Sequence, residues 1–184
     1  MATTALFHTA AETRSGIRAS ASSIFTVLGA AAFVPGLFGV VNIGAEAVDL
    51  FPFFFAPFGL PGWAGGAMHL VQLSFLGAAF GLMMLAGATR ATIWLAVSIL
   101  AYIALPFVTP PLDSLQLSLV CTGLFLLGLA TAYRVGSVSP LAGWLMTPML
   151  AIVGFSAAMG LVLTAAYTPP FALVQGQTPA PASA

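Results

Sequence analysis

The sequence predicts an all-α protein: a polytopic membrane bundle of about five transmembrane helices, N-terminus inside and C-terminus outside. Hydrophobic residues make up 60% of the 184 residues and charged residues only 4%, whereas soluble domains carry roughly a quarter charged residues. Five stretches approach or exceed the ~20 apolar residues that cross a bilayer. All four basic residues, Arg14, Arg18, Arg90 and Arg134, fall in alternate gaps between these stretches, which is the positive-inside pattern.

The chain begins with a polar segment, residues 1–18, which we predict to be a cytoplasmic tail, and the bundle is predicted to occupy residues 19–170. The first span is predicted at 22–43. Pro35 lies in its middle and should kink the helix, because proline removes one backbone hydrogen bond.

The same region also imitates a signal peptide. Arg14 and Arg18 precede the apolar run, and Ala45-Glu46-Ala47 after it has the A-x-A form of a cleavage site. The apolar run exceeds the usual ~7–15 residues of a signal core, so we expect the span to be retained. Cleavage would leave four spans in unchanged orientation.

Residues 50–63, the Phe/Pro segment, combine three prolines with five phenylalanines and Trp63. The prolines forbid a regular spanning helix, and the aromatic rings are too apolar for a loop in water. An interfacial or re-entrant segment on the outer side fits both facts. It could serve as a lid over a pocket, as a docking surface for another membrane protein, or as an amphipathic anchor.

Four further spans are predicted at 66–86, 91–108, 115–133 and 140–167. Five of the six Trp and Tyr residues fall at predicted span ends, where such rings anchor at the headgroups. Tyr102 alone falls inside a span. The Pro/Ala-rich residues 171–184 predict a disordered tail.

The strongly polar side chains of the spans and outer loops are all predicted in the outer leaflet or just beyond it. No carboxylate, Arg or His is predicted near the bilayer centre, where proton pumps, ion-coupled transporters and voltage sensors place such groups. The sequence therefore disfavours all three classes. The predicted outer-face polar residues, besides His69 and Gln72, are Asn42, Glu46, Asp49, Asp113 and Gln116.

His69 is the only histidine predicted within a span, and Gln72 follows three residues later. His69 could ligate a haem or chlorin, hydrogen-bond a quinone carbonyl with help from Gln72, or join a nearby carboxylate at a metal. The simpler interpretation, which we favour, is an interfacial histidine bonded to a loop carbonyl or water. Haem ligated by two histidines is excluded, because His8 is predicted on the opposite side. No cofactor is assigned.

Several site classes are absent from the sequence. The single cysteine, Cys121, excludes an internal disulfide and a CxxC pair, and no catalytic motif is present. The chain has no lysine and zero net charge, so no basic patch is available for nucleic acid. Gly77 and Gly81 form a small-xxx-small motif that suits close helix packing, within the chain or between copies.

Three functional hypotheses follow from the sequence. The first is an accessory or scaffold subunit of a membrane assembly, with the lipid bilayer and a membrane protein or a second copy as partners. The second is a permease or channel for a small neutral or apolar solute. The third is a cofactor- or quinone-binding redox subunit that uses His69. The use of Arg for every basic residue, together with abundant Ala, suggests a bacterial inner-membrane protein.

Overall fold

The computed structural model describes residues 21–54 and 60–167, and the regular structure in these ranges is helical. The helices are α1 (Ala21–Glu46), α2 (Gly62–Leu85), α3 (Thr89–Val108), α4 (Ser114–Val138), α5 (Pro140–Leu145) and α6 (Thr147–Tyr167). With α5 and α6 taken as one span, five helices are long and apolar enough to cross a membrane. The predicted all-helical class and span number are confirmed. The predicted tails, 1–18 and 171–184, lie outside the described helices.

Two of the turns that reverse the chain use the same hydrogen-bond pattern. After α1 the N–H of Leu50 donates to the carbonyl of Ala45 at 3.0 Å, and Asp49 between them has φ 57°. After α2 the same pattern places Gly87 at φ 64°. This is the Schellman motif, whose left-handed residue is usually glycine. Asp49 therefore holds a conformation that favours glycine.

The prolines within the spans have different consequences. α1 continues through Pro35 and α3 through Pro106, but the fifth span is interrupted at Met146. Pro148 follows two residues later and has no N–H for the carbonyl of Trp144 four residues before it, which explains the break. The interruption divides this span into the short α5 and the long α6.

Glycines bring two pairs of helices into close contact. A Cβ added at Gly77 would lie 2.3 Å from the carbonyl oxygen of Ala30, and one at Gly81 would lie 2.9 Å from Cα of Val27. These contacts pack α2 on α1. At Gly160 an added Cβ would lie 2.8 Å from Cβ of Ser118, so α6 packs on α4 in the same way. α3 lies between the two pairs.

The bundle has two unlike halves. The arginine half contains Arg90, Arg134 and the short α5, which packs against both α2 and α4. The carboxylate half contains Glu46, Asp49 and Asp113 at the helix ends. Here α6 packs mainly on α4, and a space is left between α2 and α6.

Candidate functional site

A cavity of about 390 Å³ occupies the carboxylate half, between α2, α3, α4, α6 and the first residues of the Phe/Pro segment. This volume falls within the ~300–1,000 Å³ range of small-molecule sites. Its lining is mostly apolar, and none of the described residues that form it is charged. The polar side chains in the lining are His69, Gln72, Tyr102, Thr109, Ser114 and Ser156, together with the thiol of Cys121.

His69 lies on the cavity wall, 6% exposed and surrounded by aromatic rings. Its ring centroid is 4.4 Å from that of Tyr102, 5.1 Å from that of Phe38 and 5.5 Å from that of Phe54. Its Nε2 atom is buried and has no hydrogen-bond partner in the described structure. Such a group costs roughly 1–3 kcal/mol of stability. His69 therefore carries an unused hydrogen-bonding capacity at the cavity.

Gln72, by contrast, is engaged with other helices on both sides of its amide. The hydroxyl of Tyr102 donates to Oε1 of Gln72, and Nε2 of Gln72 donates to the carbonyl of Pro148 at 3.3 Å. These bonds join α2 to α3 and to the start of α6. Gln72 thus braces the floor of the cavity, and His69 lies one helical turn closer to the carboxylate end.

Both residues lie further into their helix than the sequence predicted. α2 begins at Gly62 rather than at residue 66, which adds a turn before His69. At 1.5 Å per residue His69 lies about 10 Å, and Gln72 about 15 Å, from the start of the helix. His69 is therefore a wall residue of the bundle interior, and Phe54 of the Phe/Pro segment packs on its ring.

The start of the Phe/Pro segment lines the cavity at its carboxylate end. The N–H of Phe53 donates to the carbonyl of Pro106 at 2.8 Å. This carbonyl has no helical partner because Pro110, four residues on, has no N–H. The ring of Phe54 lies 6.0 Å from that of Phe38 and also packs on His69. Residues 55–59 of the segment lie outside the described residues.

The other predicted outer-face residues are placed outside the cavity lining. Glu46 and Asp49 are exposed at the end of α1. Asp113 and Gln116 form a capping box on α4, in which Oδ1 of Asp113 accepts from N of Gln116 at 2.8 Å. Oδ1 of Asn42 is buried and, like Nε2 of His69, has no partner in the described structure. Within the described ranges no three His, Cys, Asp or Glu side chains are grouped to hold a metal ion.

Sequence reasoning did not assign Tyr102 to the site. It is 2% exposed, contacts His69 and bonds to Gln72. A signal was present, because Tyr102 is the one Tyr or Trp predicted away from a span end. An amphipathic ring in a span interior requires a partner for its hydroxyl. Cys121 and Ser156, which also line the cavity, carry no comparable signal in the sequence.

Comparison with protein-family models, curated proteins and solved structures finds no match to this chain. The candidate functional site is therefore defined by the cavity itself. Its strongest element is the buried, unpartnered Nε2 of His69.

Proposed function

We propose that this chain is a membrane protein that binds a neutral, mostly apolar small molecule in the cavity, with His69 as the polar contact. The observation that carries the proposal is made at His69, which lines that cavity and whose buried Nε2 atom has no hydrogen-bond partner among the described residues. A ligand oxygen or nitrogen would satisfy this atom, and such compensation is why buried polar groups persist at binding sites.

The lining argues for an uncharged ligand. Apart from His69, none of the described residues in the lining is acidic or basic, and an ion without a counter-charge is costly to bury. A neutral imidazole offers one donor and one acceptor. The site therefore suits a molecule with one or two hydrogen-bonding groups on an apolar body.

The arginine half favours binding over passage through the bundle. Below the Gln72–Pro148 bond the interior is filled by fully buried side chains, among them Leu76, Met83 and Leu95. Ser98 and Thr131 are also fully buried and bond to each other at 2.8 Å. A permease would need a path through this region. A binding protein, alone or as the accessory subunit of an assembly, needs none.

We further propose the inner membrane of a bacterium as the location, with the arginine half toward the cytoplasm. The distribution of charge supports this orientation. Arg90 and Arg134 lie in one half, whereas Glu46, Asp49 and Asp113 lie in the other. Arginine near helix ends is held on the cytoplasmic side.

The test is to extract the purified protein with organic solvent and identify the bound molecules by mass spectrometry. Ser156→Phe places a ring in the cavity, whereas Ala158→Phe makes a comparable enlargement at an exposed position of the same helix. We expect a neutral apolar compound with the wild type and Ala158→Phe, and its loss from Ser156→Phe and His69→Phe. The same extract from all four proteins would refute the proposal.

A further inference from the structure

We propose that the ligand is a quinone-like lipid, a neutral flat ring with a carbonyl oxygen and a hydrocarbon tail, which reaches the cavity sideways from the bilayer between α2 and α6. The inference rests on the proposed binding function of the cavity. It adds the chemical class of the ligand and the route by which it arrives.

The residues around His69 indicate the chemistry of the ring at one end of the ligand. With its proton on Nε2, the imidazole donates one hydrogen bond, which a ring carbonyl can accept. Tyr102, Phe54 and Pro106 line the same cavity, and their flat faces favour a planar ring through stacking contacts. The uncharged lining argues against the phosphate of a phospholipid and the carboxylate of a fatty acid.

The side of the cavity that α6 forms indicates where the hydrocarbon tail of the ligand leaves the cavity. Met159 and Leu163 line the cavity and are 38% and 43% exposed. In this half α6 is held to α4, through Gly160 against Ser118 and the hydroxyl of Thr164 donating to Ser114 at 3.3 Å. Its bond to α2 lies deeper, at Gln72 and Pro148. The cavity wall between α2 and α6 is therefore continuous with the lipid-facing surface.

The two ends of the cavity are less suitable as routes. Phe53, whose N–H donates to the carbonyl of Pro106, and Phe54 lie at the carboxylate end and narrow it. The Gln72–Pro148 bond and the packed arginine half close the opposite end. A molecule dissolved in the bilayer meets the side opening directly, and a hydrocarbon tail concentrates the ligand there.

The class of ligand is tested with three probes on the full-length protein in lipid nanodiscs. Decylubiquinone has the ring carbonyls and a tail, decylbenzene has the tail without carbonyls, and 2,3-dimethoxy-5-methyl-1,4-benzoquinone has the ring without the long tail. Apparent affinity is read from the dependence of the unfolding midpoint on probe concentration. We expect saturable stabilisation by decylubiquinone and, for each of the other two probes, binding weaker by about tenfold.

The role of His69 is tested with the same probes. His69→Phe should reduce decylubiquinone affinity to that of decylbenzene, whereas His69→Gln, which keeps a donor, should restore part of the difference. Equal binding of decylubiquinone and decylbenzene by the wild type would overturn the carbonyl assignment. The absence of any saturable stabilisation sensitive to Ser156→Phe would overturn the inference as a whole. The extraction experiment decides the proposed function separately, because it does not depend on these probes.

The route is tested by the rate at which immobilised protein releases tritiated decylubiquinone into an excess of the unlabelled compound. Leu163→Trp obstructs the side opening, and Leu161→Trp makes the same change at a 51% exposed position outside the cavity lining. We expect Leu163→Trp to slow release about tenfold, and Leu161→Trp to release the compound at the wild-type rate. Equal rates in the two variants would overturn the lateral route.

Discussion

The two halves of the bundle differ in their buried polar groups, because among the described residues the buried side-chain atoms without a hydrogen-bond partner belong to the carboxylate half. In the arginine half Ser98 and Thr131 are fully buried and bonded to each other, and Thr131 also donates to the carbonyl of Leu127 at 2.8 Å. In the carboxylate half Nε2 of His69 and Oδ1 of Asn42 are buried without a partner in the described structure. The bonded hydroxyl groups stabilise the helix packing. The two unpartnered atoms lower the stability of the folded protein, because no hydrogen bond replaces the one that each atom makes to water in the unfolded chain.

This difference distinguishes the half that stabilises the fold from the half in which we propose that a ligand binds. Close glycine contacts and hydrogen-bonded hydroxyl groups occur in both halves, in the carboxylate half at Gly160, Ser118 and Thr164. The fully packed core lies in the arginine half. Open volume and unused hydrogen-bonding capacity coincide in the other. The Tyr102–Gln72–Pro148 chain of hydrogen bonds marks the boundary between them. Substitutions on either side should therefore affect stability and binding to different extents.

The largest effect is expected where backbones touch in the arginine half. Gly77→Leu forces a side chain against the backbone of Ala30, where even a Cβ would be 2.3 Å from the carbonyl oxygen. We expect a loss of about 3 kcal/mol in the free energy of unfolding, measured by denaturant titration in micelles. The matched control is Gly39→Leu, because a Cβ at Gly39 meets no atom within 4 Å. Equal destabilisation by the two variants would show that α1 is not held by this contact.

The next effect concerns the boundary between the halves. Tyr102→Phe removes the hydroxyl that donates to Gln72 and leaves a buried amide oxygen without that bond. The free energy of unfolding should fall by about 1–2 kcal/mol. Tyr133→Phe deletes the same hydroxyl at an 80% exposed position and should leave the unfolding midpoint unchanged. If Tyr102→Phe also left it unchanged, the chain of bonds would not brace the cavity floor.

Two substitutions, one in each half, are expected to change the stability of the protein in opposite directions. In ligand-free protein His69→Phe keeps an aromatic ring beside Tyr102 and removes the unpartnered nitrogen, so stability should rise by about 1 kcal/mol. Ser98→Ala removes a satisfied buried hydroxyl and should lower stability by about 1 kcal/mol. Both are measured by thermal unfolding after delipidation. Destabilisation by both would indicate that the two halves do not differ as described.

The smallest effect is expected at the turns. Asp49 has φ 57° in the turn at the carboxylate end, and Gly87 has φ 64° in the corresponding turn at the arginine end. Asp49→Gly should stabilise by about 0.5 kcal/mol, and Gly87→Ala should destabilise by about 1 kcal/mol. Parallel thermal melts check both. A stabilising Gly87→Ala would contradict the assignment of the Schellman turn.

Much of the fold could be predicted from the sequence because membrane helices are specified by local features. Length and apolar composition define the spans, and proline and glycine mark breaks and turns, as at Pro110 and Gly87. The site was predicted only in part. His69 was singled out because it is a lone ionisable side chain in an apolar run. Tyr102 was not connected to it, because the two residues are 33 positions apart and meet only when α2 packs beside α3.

The sequence by itself therefore determined the all-helical class and the number of helices that are long and apolar enough to span a membrane. The tertiary structure alone decided which polar groups are satisfied and where space is left. The physical reason is that helix rotation is not encoded in the hydropathy of such a chain. Lipid-facing positions such as Phe25 and Phe33, 74% and 65% exposed, are as apolar as the core. Only the packing of the glycine contacts turns His69 inward and separates α2 from α6.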